Sequence, residues 1–308
     1  GTNSLDMGSG TVTLSGVAAN LTTSITANTL TVGEMKSAVQ GLVKQGAGTL
    51  VVTSTGAGNA SSVLGGVLNV AAGTLQINRT NADAAGSGDL TAAGLTGTGT
   101  INNGAAVERW LIINTTGSDT FAGTLANGGT GGLGLNKQGI GMLTLTGSSS
   151  YTGVTTVGGG ILNVQNSGAL GGSAVSIRSL AAGLQLQGGI TVPNNIITSN
   201  DGSGATGYAI ANVSGDNTIS GSISMTDGAG NTVVLSDTGS LNLAGNVTNI
   251  HATSTRTLFL QGASTAANTA ARALLPMPSG FSFEASLTIL ASSSPMSRAS
   301  SLVGLPGW

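Results

Sequence analysis

Acidic side chains are the residues of this sequence most suited to catalysis or metal binding, because groups of carboxylates can cleave glycosidic bonds or hold calcium. The sequence has eleven Asp and Glu residues, which lie far apart along its length. Asp216, Asp227 and Asp237 come closest to forming a group, at spacings of 11 and 10 residues. They could converge if successive structural repeats aligned them. Each lies beside or near a Gly or Asn, which is typical of turns, so we expect turn residues.

Other residues and motifs typical of catalytic, metal-binding or nucleotide-binding sites are sparse. His251 is the only histidine and Cys is absent, so neither a two-histidine nor a thiolate metal site can form. No Gly-x-Ser-x-Gly elbow opens a helix, as a Ser nucleophile of the hydrolase type requires. The Gly-x-Gly segments at 86–88 and 97–99 lead into no helix with a following acidic residue. The sequence therefore predicts no catalytic, cofactor-binding or metal-binding residue.

Aromatic side chains could instead stack on sugars. The eight aromatic residues are Trp110, Phe121, Tyr151, Tyr208, Phe259, Phe281, Phe283 and Trp308. Only Phe281 and Phe283 lie together, Tyr151 belongs to a repeated turn, and Trp110 lies in the apolar run 107–113. We therefore expect packing roles for this group rather than a sugar site.

An internal duplication in the sequence indicates the kind of structure that holds these acidic and aromatic side chains. The segment KQGAGTL at 44–50 matches KQGIGML at 137–143 with an offset of 93 residues. GGVLNV at 65–70 matches GGILNV at 159–164 with an offset of 94. Such a period is typical of chains built by stacking similar units, each of which needs its neighbours to bury its apolar face.

The units are predicted to be β-strands. Short alternations of aliphatic residues with Thr, Ser or Asn recur along the chain, and Gly, Asn or Ser separates them. A sandwich, a barrel and a parallel β-helix all fit this pattern. Few Asn-Gly or Asp-Gly hairpin turns occur, and the long duplication favours stacking, so the parallel β-helix (β-solenoid) is the predicted fold. At roughly 20–25 residues per turn, a duplicated block would make about four turns.

The segment 135–171 also resembles the autotransporter-associated β-strand repeat, called the passenger-associated transport repeat. That repeat has a Lys-x-Gly-x-Gly-x-Leu-x-Leu opening, a Tyr-Thr-Gly-x-Thr turn, a Gly-x-Leu-x-Val strand and an Asn-x-x-x-Leu-Gly close. The matching positions, in order, are Lys137, Gly139, Gly141, Leu143, Leu145, Tyr151, Thr152, Gly153, Thr155, Gly160, Leu162, Val164, Asn166, Leu170 and Gly171. In the copy at 42–70, residues 58–61 replace the Tyr-Thr-Gly turn. The resemblance covers about residues 40–265. It implies a right-handed parallel β-helix in an exported bacterial surface protein, with the repeat assisting secretion and folding.

Composition narrows the choice of partners. Charged residues make up 6% of the chain, against about a quarter in typical soluble proteins. The net charge is −2 and the nine basic residues are scattered, so nucleic acid and anionic lipid are not expected partners. No run of about eighteen apolar residues occurs, so no membrane-spanning helix is expected.

The chain is predicted to have three parts: an N-terminal cap with the first turns at 1–40, the repeat β-solenoid at 41–271, and a C-terminal tail or cap at 272–308. Four of the five Pro residues fall after residue 275, where only three Gly remain. Proline cannot donate to a β-ladder, so this tail is predicted to lie outside the solenoid.

Three functions are compatible with these features. The leading hypothesis is a non-enzymatic extracellular structural solenoid, a surface scaffold, stalk or self-assembling fibre subunit, which associates through its ends or flanks. The second is an adhesin that binds glycan or another host-surface ligand through one flank, with Tyr208 or Trp110 as contact residues. The third is a polysaccharide-active enzyme that depends on Asp216 or Asp237. Secretion or display on the bacterial surface is expected.

Overall fold

The computed structural model confirms the parallel β-solenoid, which makes about nine turns. It describes residues 4–8, 10–15, 20–54, 62–79, 90–199, 204–226, 231–250, 257–262, 268–273 and 285–289. These residues form strands and turns, and none of them belongs to a helix that could cross a membrane. The chain divides into two compact units, the first with residues 1–156 and 168–173, the second with 157–167 and 174–308.

Unit 1 consists of short strands whose bounds follow the Gly-containing turns between them. They are β1 (Leu5–Asp6), β2 (Val12–Thr13), β3 (Leu21–Ser24), β4 (Thr29–Val32), β5 (Met35–Ser37), β6 (Leu42–Gln45), β7 (Thr49–Ser54), β8 (Ser62–Val70), β9 (Thr74–Arg79), β10 (Leu90–Gly97), β11 (Thr100–Asn103), β12 (Arg109–Asn114), β13 (Ser118–Phe121), β14 (Thr124–Asn127), β15 (Leu133–Gln138) and β16 (Met142–Leu145). The next strand, β17 (Thr155–Val157), lies at the division between the units.

Three parallel ladders run through unit 1. Ladder A joins β3, β6, the second half of β8, the second half of β10, β13 and β16. Ladder B joins β1, β4, β7, β9, β11 and β14. Ladder C joins β2, β5, the first halves of β8 and β10, β12 and β15. The chain visits A, B and C in turn, so each pass through the three ladders is one turn of the coil.

Unit 2 has the same parallel construction. Its strands are β18 (Gly160–Val164), β19 (Val175–Ile177), β20 (Ala182–Gln187), β21 (Thr191–Val192), β22 (Ile196–Thr198), β23 (Ile210–Ser214), β24 (Asn217–Ile219), β25 (Ile223–Met225), β26 (Asn231–Ser236), β27 (Leu241–Leu243), β28 (Val247–Asn249), β29 (Thr257–Gly262), β30 (Asn268–Ala273) and β31 (Ala285–Ile289). Ladder D joins β18, β20, β23, β26 and β29. Ladder E joins β21, β24 and β27, and ladder F joins β19, β22, β25, β28 and β30.

The core of unit 1 is a set of aliphatic columns inside the coil. In ladder B, Leu50, Leu75, Ile101 and Leu125 lie in register on successive turns and are at most 1% exposed. Burial of each such side chain contributes about 1.5–3 kcal/mol. Because every residue of the column packs on the one before it, the period-two pattern and the stacking support each other.

The outer side of the same strands carries a column of threonine. Thr29, Thr49, Thr74, Thr100 and Thr124 are in register on five successive turns and are all partly exposed. Cross-strand Thr pairs favour the sheet by a few tenths of a kcal/mol or more each. The triplet Gly-Thr-Leu or Gly-Thr-Ile at 48–50, 73–75, 99–101 and 123–125 therefore encodes one corner, one outward and one inward position.

The corner before four of these five threonines is a glycine, where the preceding turn comes close. A Cβ on Gly123 would lie 2.0 Å from the carbonyl oxygen of Gly99, and one on Gly147 would lie 2.0 Å from that of Gly123. The first turn has Asn28 at this corner, with a φ of 67°. Asn is one of the few residues other than Gly that adopt this left-handed conformation readily.

The predicted C-terminal tail lies mostly outside the described residues. Among the described strands, β30 at the end of the predicted solenoid pairs antiparallel with β31 of the predicted tail, in contrast to the parallel ladders of the preceding strands. The predicted division at residues 40 and 271 stays a prediction.

Replacing Gly123 by Ala should lower the free energy of unfolding by about 1–3 kcal/mol, because the new methyl group overpacks the corner. Gly123 does not have a positive φ, so the close contacts with the Gly99 carbonyl oxygen, at 2.0 Å, and with the Phe121 ring, at 2.5 Å, are the cause. Gly117→Ala is the control, since nothing lies within 4 Å of a Cβ there. Urea unfolding of both variants measures the difference, and equal destabilisation would contradict the corner contact.

Candidate functional site

The opening lysines of the two repeats are buried at corners of unit 1. Lys44 and Lys137 are both 0% exposed. Lys44 Nζ donates to the carbonyl oxygens of Gln45 and Gly46 at 2.9 and 2.8 Å, and to that of Ala72 on the next turn at 3.0 Å. The ammonium therefore supplies a donor to the carbonyl oxygens of Gly46 and Ala72 beyond the end of the strand, and it shares the Gln45 carbonyl oxygen with the backbone N–H of Ile25.

Lys137 repeats this geometry at a different corner. Its Nζ donates to the carbonyl oxygens of Gln138 and Gly139 at 2.9 and 3.1 Å. Gly46 and Gly139 have nearly the same φ, 75° and 77°. Lys44 lies at the corner between ladders A and B, whereas Lys137 lies between ladders C and A. The repeat motif therefore specifies a corner and not a fixed position around the coil.

Burial controls the protonation of these lysines. Desolvation lowers the pKa of Lys44 below its usual value. Desolvation also lowers the pKa of Lys137 to about 8, and the negative charge of Asp119 opposes that shift. With a pKa of about 8, most Lys137 side chains are charged at neutral pH, and both lysines lose their proton more easily than an exposed lysine does.

Buried amide and guanidinium groups serve the remaining corners. At the corner between ladders B and C, Asn103 Nδ2 donates at 2.8 Å to the carbonyl oxygens of Val107 and Gly132. The buried Arg109 donates to the carbonyl oxygen of Arg79 at 3.1 Å. In unit 2, Asn212 Nδ2 contacts the carbonyl oxygens of Thr238 and Ser240 at 3.0 and 3.3 Å. These polar groups hold backbone turns together.

The acidic residues considered for catalysis occupy separate places. Asp216 is exposed, and its Oδ1 accepts hydrogen bonds from the backbone N and Oγ of Ser240 on the next turn at 2.9 and 2.8 Å. Those bonds hold the pKa of Asp216 below its usual value. The Asp237 amide donates to Asn212, one turn earlier, and partial burial raises the pKa of its carboxyl group. The residue one turn beyond Asp216 is thus Ser240, not Asp237. Asp227 and His251 lie outside the described residues.

The aromatic residues fall into two groups. Phe121 and Tyr151 are core side chains, at most 1% exposed. Trp110 and Tyr208 lie on the outer side, each over a glycine of a neighbouring turn. A Cβ on Gly134 would lie 2.9 Å from the Trp110 ring, and one on Gly183 would lie 2.7 Å from the Tyr208 ring. Phe281, Phe283 and Trp308 are not among the described residues.

The outer side of ladder D carries an assembled group of side chains, called here the outer strip. It consists of Asn163, Gln165, Gln185, Gln187, Tyr208, Ala211, Val233, Leu235, Phe259 and Gln261. One column runs from Asn163 through Gln185, Ala211 and Leu235 to Gln261 on five successive strands. The strip therefore places amides at its ends and an apolar cluster in its middle.

The sequence analysis names Tyr208 as a contact residue of an adhesin and Phe259 only among the eight aromatic residues, and it does not name their amide neighbours. The signal was available, because Asn163, Gln185 and Gln187 alternate with inward Leu and Val residues and must point outward. Their meeting depends on the register between strands 22 to 26 residues apart, which alternation does not specify.

Comparisons with known proteins agree with the repeat. Residues 42–77 and 135–164 match the family model described as Passenger-associated-transport-repeat. A stretch of 77 residues, 25% of this chain, is 40% identical to the Adhesin BmaC autotransporter of Brucella suis biovar 1 (strain 1330). The chain spans only 2% of that relative's length. No solved structure matches.

Reductive methylation with ¹³C-formaldehyde should modify Lys36 in the folded protein and leave Lys44 and Lys137 unmodified. Lys36 is the internal control, because its side chain is 48% exposed and pairs with Glu34 at 3.0 Å. Unfolding in urea should make all three lysines reactive. Peptide mass spectrometry measures the labelling, and rapid native modification of Lys137 would contradict its burial.

The stability contributed by Lys137 should rise as the pH increases from 8 towards 10.5. Between those values the unfolded chain holds a proton on Lys137 that the folded chain has released. The test measures the urea midpoints of the wild type and of Lys137→Met from pH 7 to 10. Above pH 8, the midpoint of the wild type should rise relative to that of the variant. A difference between the wild type and Lys137→Met that stays constant over this pH range would refute the lowered pKa.

Proposed function

We propose, from the premise that this chain carries two passenger-associated transport repeats, that it is a passenger segment of a secreted or surface-displayed bacterial protein. Its role is structural and non-enzymatic, that of an extracellular solenoid scaffold or stalk. One observation carries this proposal: the buried Lys44, Lys137, Asn103 and Arg109 all donate to backbone carbonyl groups at corners. Their chemistry stabilises the stacking of turns.

The scaffold is also proposed to self-associate through its ends or flanks. Only 6% of its residues are charged and its net charge is −2, so electrostatic repulsion between copies is weak.

An adhesin is the second candidate function. The similarity to a protein named as an adhesin favours it, and a stalk with a binding flank would combine both roles. The outer strip of unit 2 is the surface that would serve this role, because its side chains point away from the core.

The wild-type chain should form assemblies larger than a monomer as its concentration is raised, because little charge opposes contact between copies. Sedimentation velocity over a concentration series and electron microscopy measure the assemblies. A protein that stays monomeric at high concentration would contradict self-association.

A further inference from the structure

The amides of the outer strip are fixed by one another. Asn163 Nδ2 donates to Gln185 Oε1 at 3.0 Å, and Gln165 Nε2 donates to Asn163 Oδ1 at 2.9 Å and to Gln187 Oε1 at 3.1 Å. Gln185 Nε2 donates to the Tyr208 hydroxyl group at 2.6 Å. Side chains held in this way have little conformational entropy left to lose when a ligand binds.

Two amide atoms of the network are open to further hydrogen bonds. Gln165 is exposed and Gln187 is partly exposed. Within the described residues, Gln165 Oε1 and Gln187 Nε2 make no hydrogen bond. One is an acceptor and the other a donor, and both belong to side chains whose other amide atom is held in place. The pair can therefore bind a group that both donates and accepts, such as a hydroxyl.

An apolar cluster adjoins these amides on the same sheet. Tyr208, Ala211 and Val233 form its buried part, and the partly exposed Leu235 and Phe259 pack against it. Tyr208 joins the two halves, because its ring belongs to the cluster while its hydroxyl group accepts the bond from Gln185. The outer strip therefore offers hydrogen-bonding groups beside an aliphatic and aromatic surface.

We propose that the outer strip is a binding site for a neutral glycan. A sugar ring presents hydroxyl groups at its edge and C–H groups on its faces, and so matches amides that adjoin an apolar surface. The strip itself contains no charged side chain. The negative charge of Asp237 acts on Tyr208 and raises its pKa, after the larger effect of burial. An anionic sugar would be repelled there, which selects neutral chains.

This proposal rests on the adhesin function and is independent of the scaffold function. A scaffold needs the ladders and corners of both units, whereas the spare groups of Gln165 and Gln187 contribute to neither. Assembly and glycan binding can therefore be measured on the same preparations and can fail separately.

The test uses the full chain and an array of neutral oligosaccharides (cello-, laminari-, manno- and chito-hexaose), with oligogalacturonate and heparin fragments as anionic probes. The double variant Gln165→Ala with Gln187→Ala should bind the best neutral probe about tenfold more weakly, because two hydrogen bonds are lost. The matched control is Gln45→Ala with Gln138→Ala, one exposed and one partly exposed residue of unit 1. That control should bind as the wild type does.

A second measurement locates the ligand. In ¹⁵N-labelled protein, the side-chain amide signals of Gln165 and Gln187 should shift on titration with the neutral probe, and those of Gln45 and Gln138 should not. The proposal is overturned if no neutral probe binds or if the anionic probes bind better. Neutral binding that survives in the Gln165/Gln187 variant, with equal thermal stability of both proteins, overturns it as well.

Discussion

Successive turns of this solenoid lie in direct backbone-to-backbone contact, and this contact limits which residues each position of a turn can have. Parallel strands lie about 4.7–4.9 Å apart, so each position in a turn meets the equivalent position of the next turn. Within a strand this spacing leaves room for side chains on both sides. At a corner it does not, and a Cβ on Gly123 or Gly147 would meet a carbonyl oxygen of the preceding turn. Much of the glycine content of unit 1 follows from this geometry.

The same corners explain how the few charged groups are used. A strand that ends leaves carbonyl oxygens without a ladder partner, and these oxygens are buried once the next turn covers them. A long side chain at the corner can satisfy more than one of them, as Lys44 does for Gly46 and Ala72 while it also donates to the Gln45 carbonyl oxygen, which Ile25 N already contacts. Two of the chain's three lysines are buried in this way. Desolvation of the ammonium costs free energy, and the three charge-assisted hydrogen bonds of Lys44 offset only part of that cost, since its pKa stays lowered.

The sequence predicts the fold class well, because period-two alternation and the duplicated block both follow from stacked parallel turns. It predicts less about which corner a motif forms. The offset of 93 residues places Lys137 one ladder short of four full turns from Lys44, because four turns end at Leu145, 101 residues (145 − 44) after Lys44. The recurring Gly-Thr-Leu triplets could have shown the single-turn period directly. The outer strip could not be predicted in full, because its contacts depend on a register that includes an irregularity between Leu186 and Gln187.

Inward and outward columns are subject to different demands. An inward residue must be aliphatic on every turn, as Leu75 and Ile101 are, because a cavity on one turn loosens the packing of both neighbours. An outward residue is held only by its strand and the adjacent turns, so its chemistry can change without loss of the coil. Ladder B uses this freedom for a uniform threonine column, whereas ladder D combines amides with an apolar cluster. In a solenoid of this kind, the side chains open to a ligand are therefore those of the outward columns. Of the two columns compared, the mixed column of ladder D is the one whose groups could discriminate between ligands.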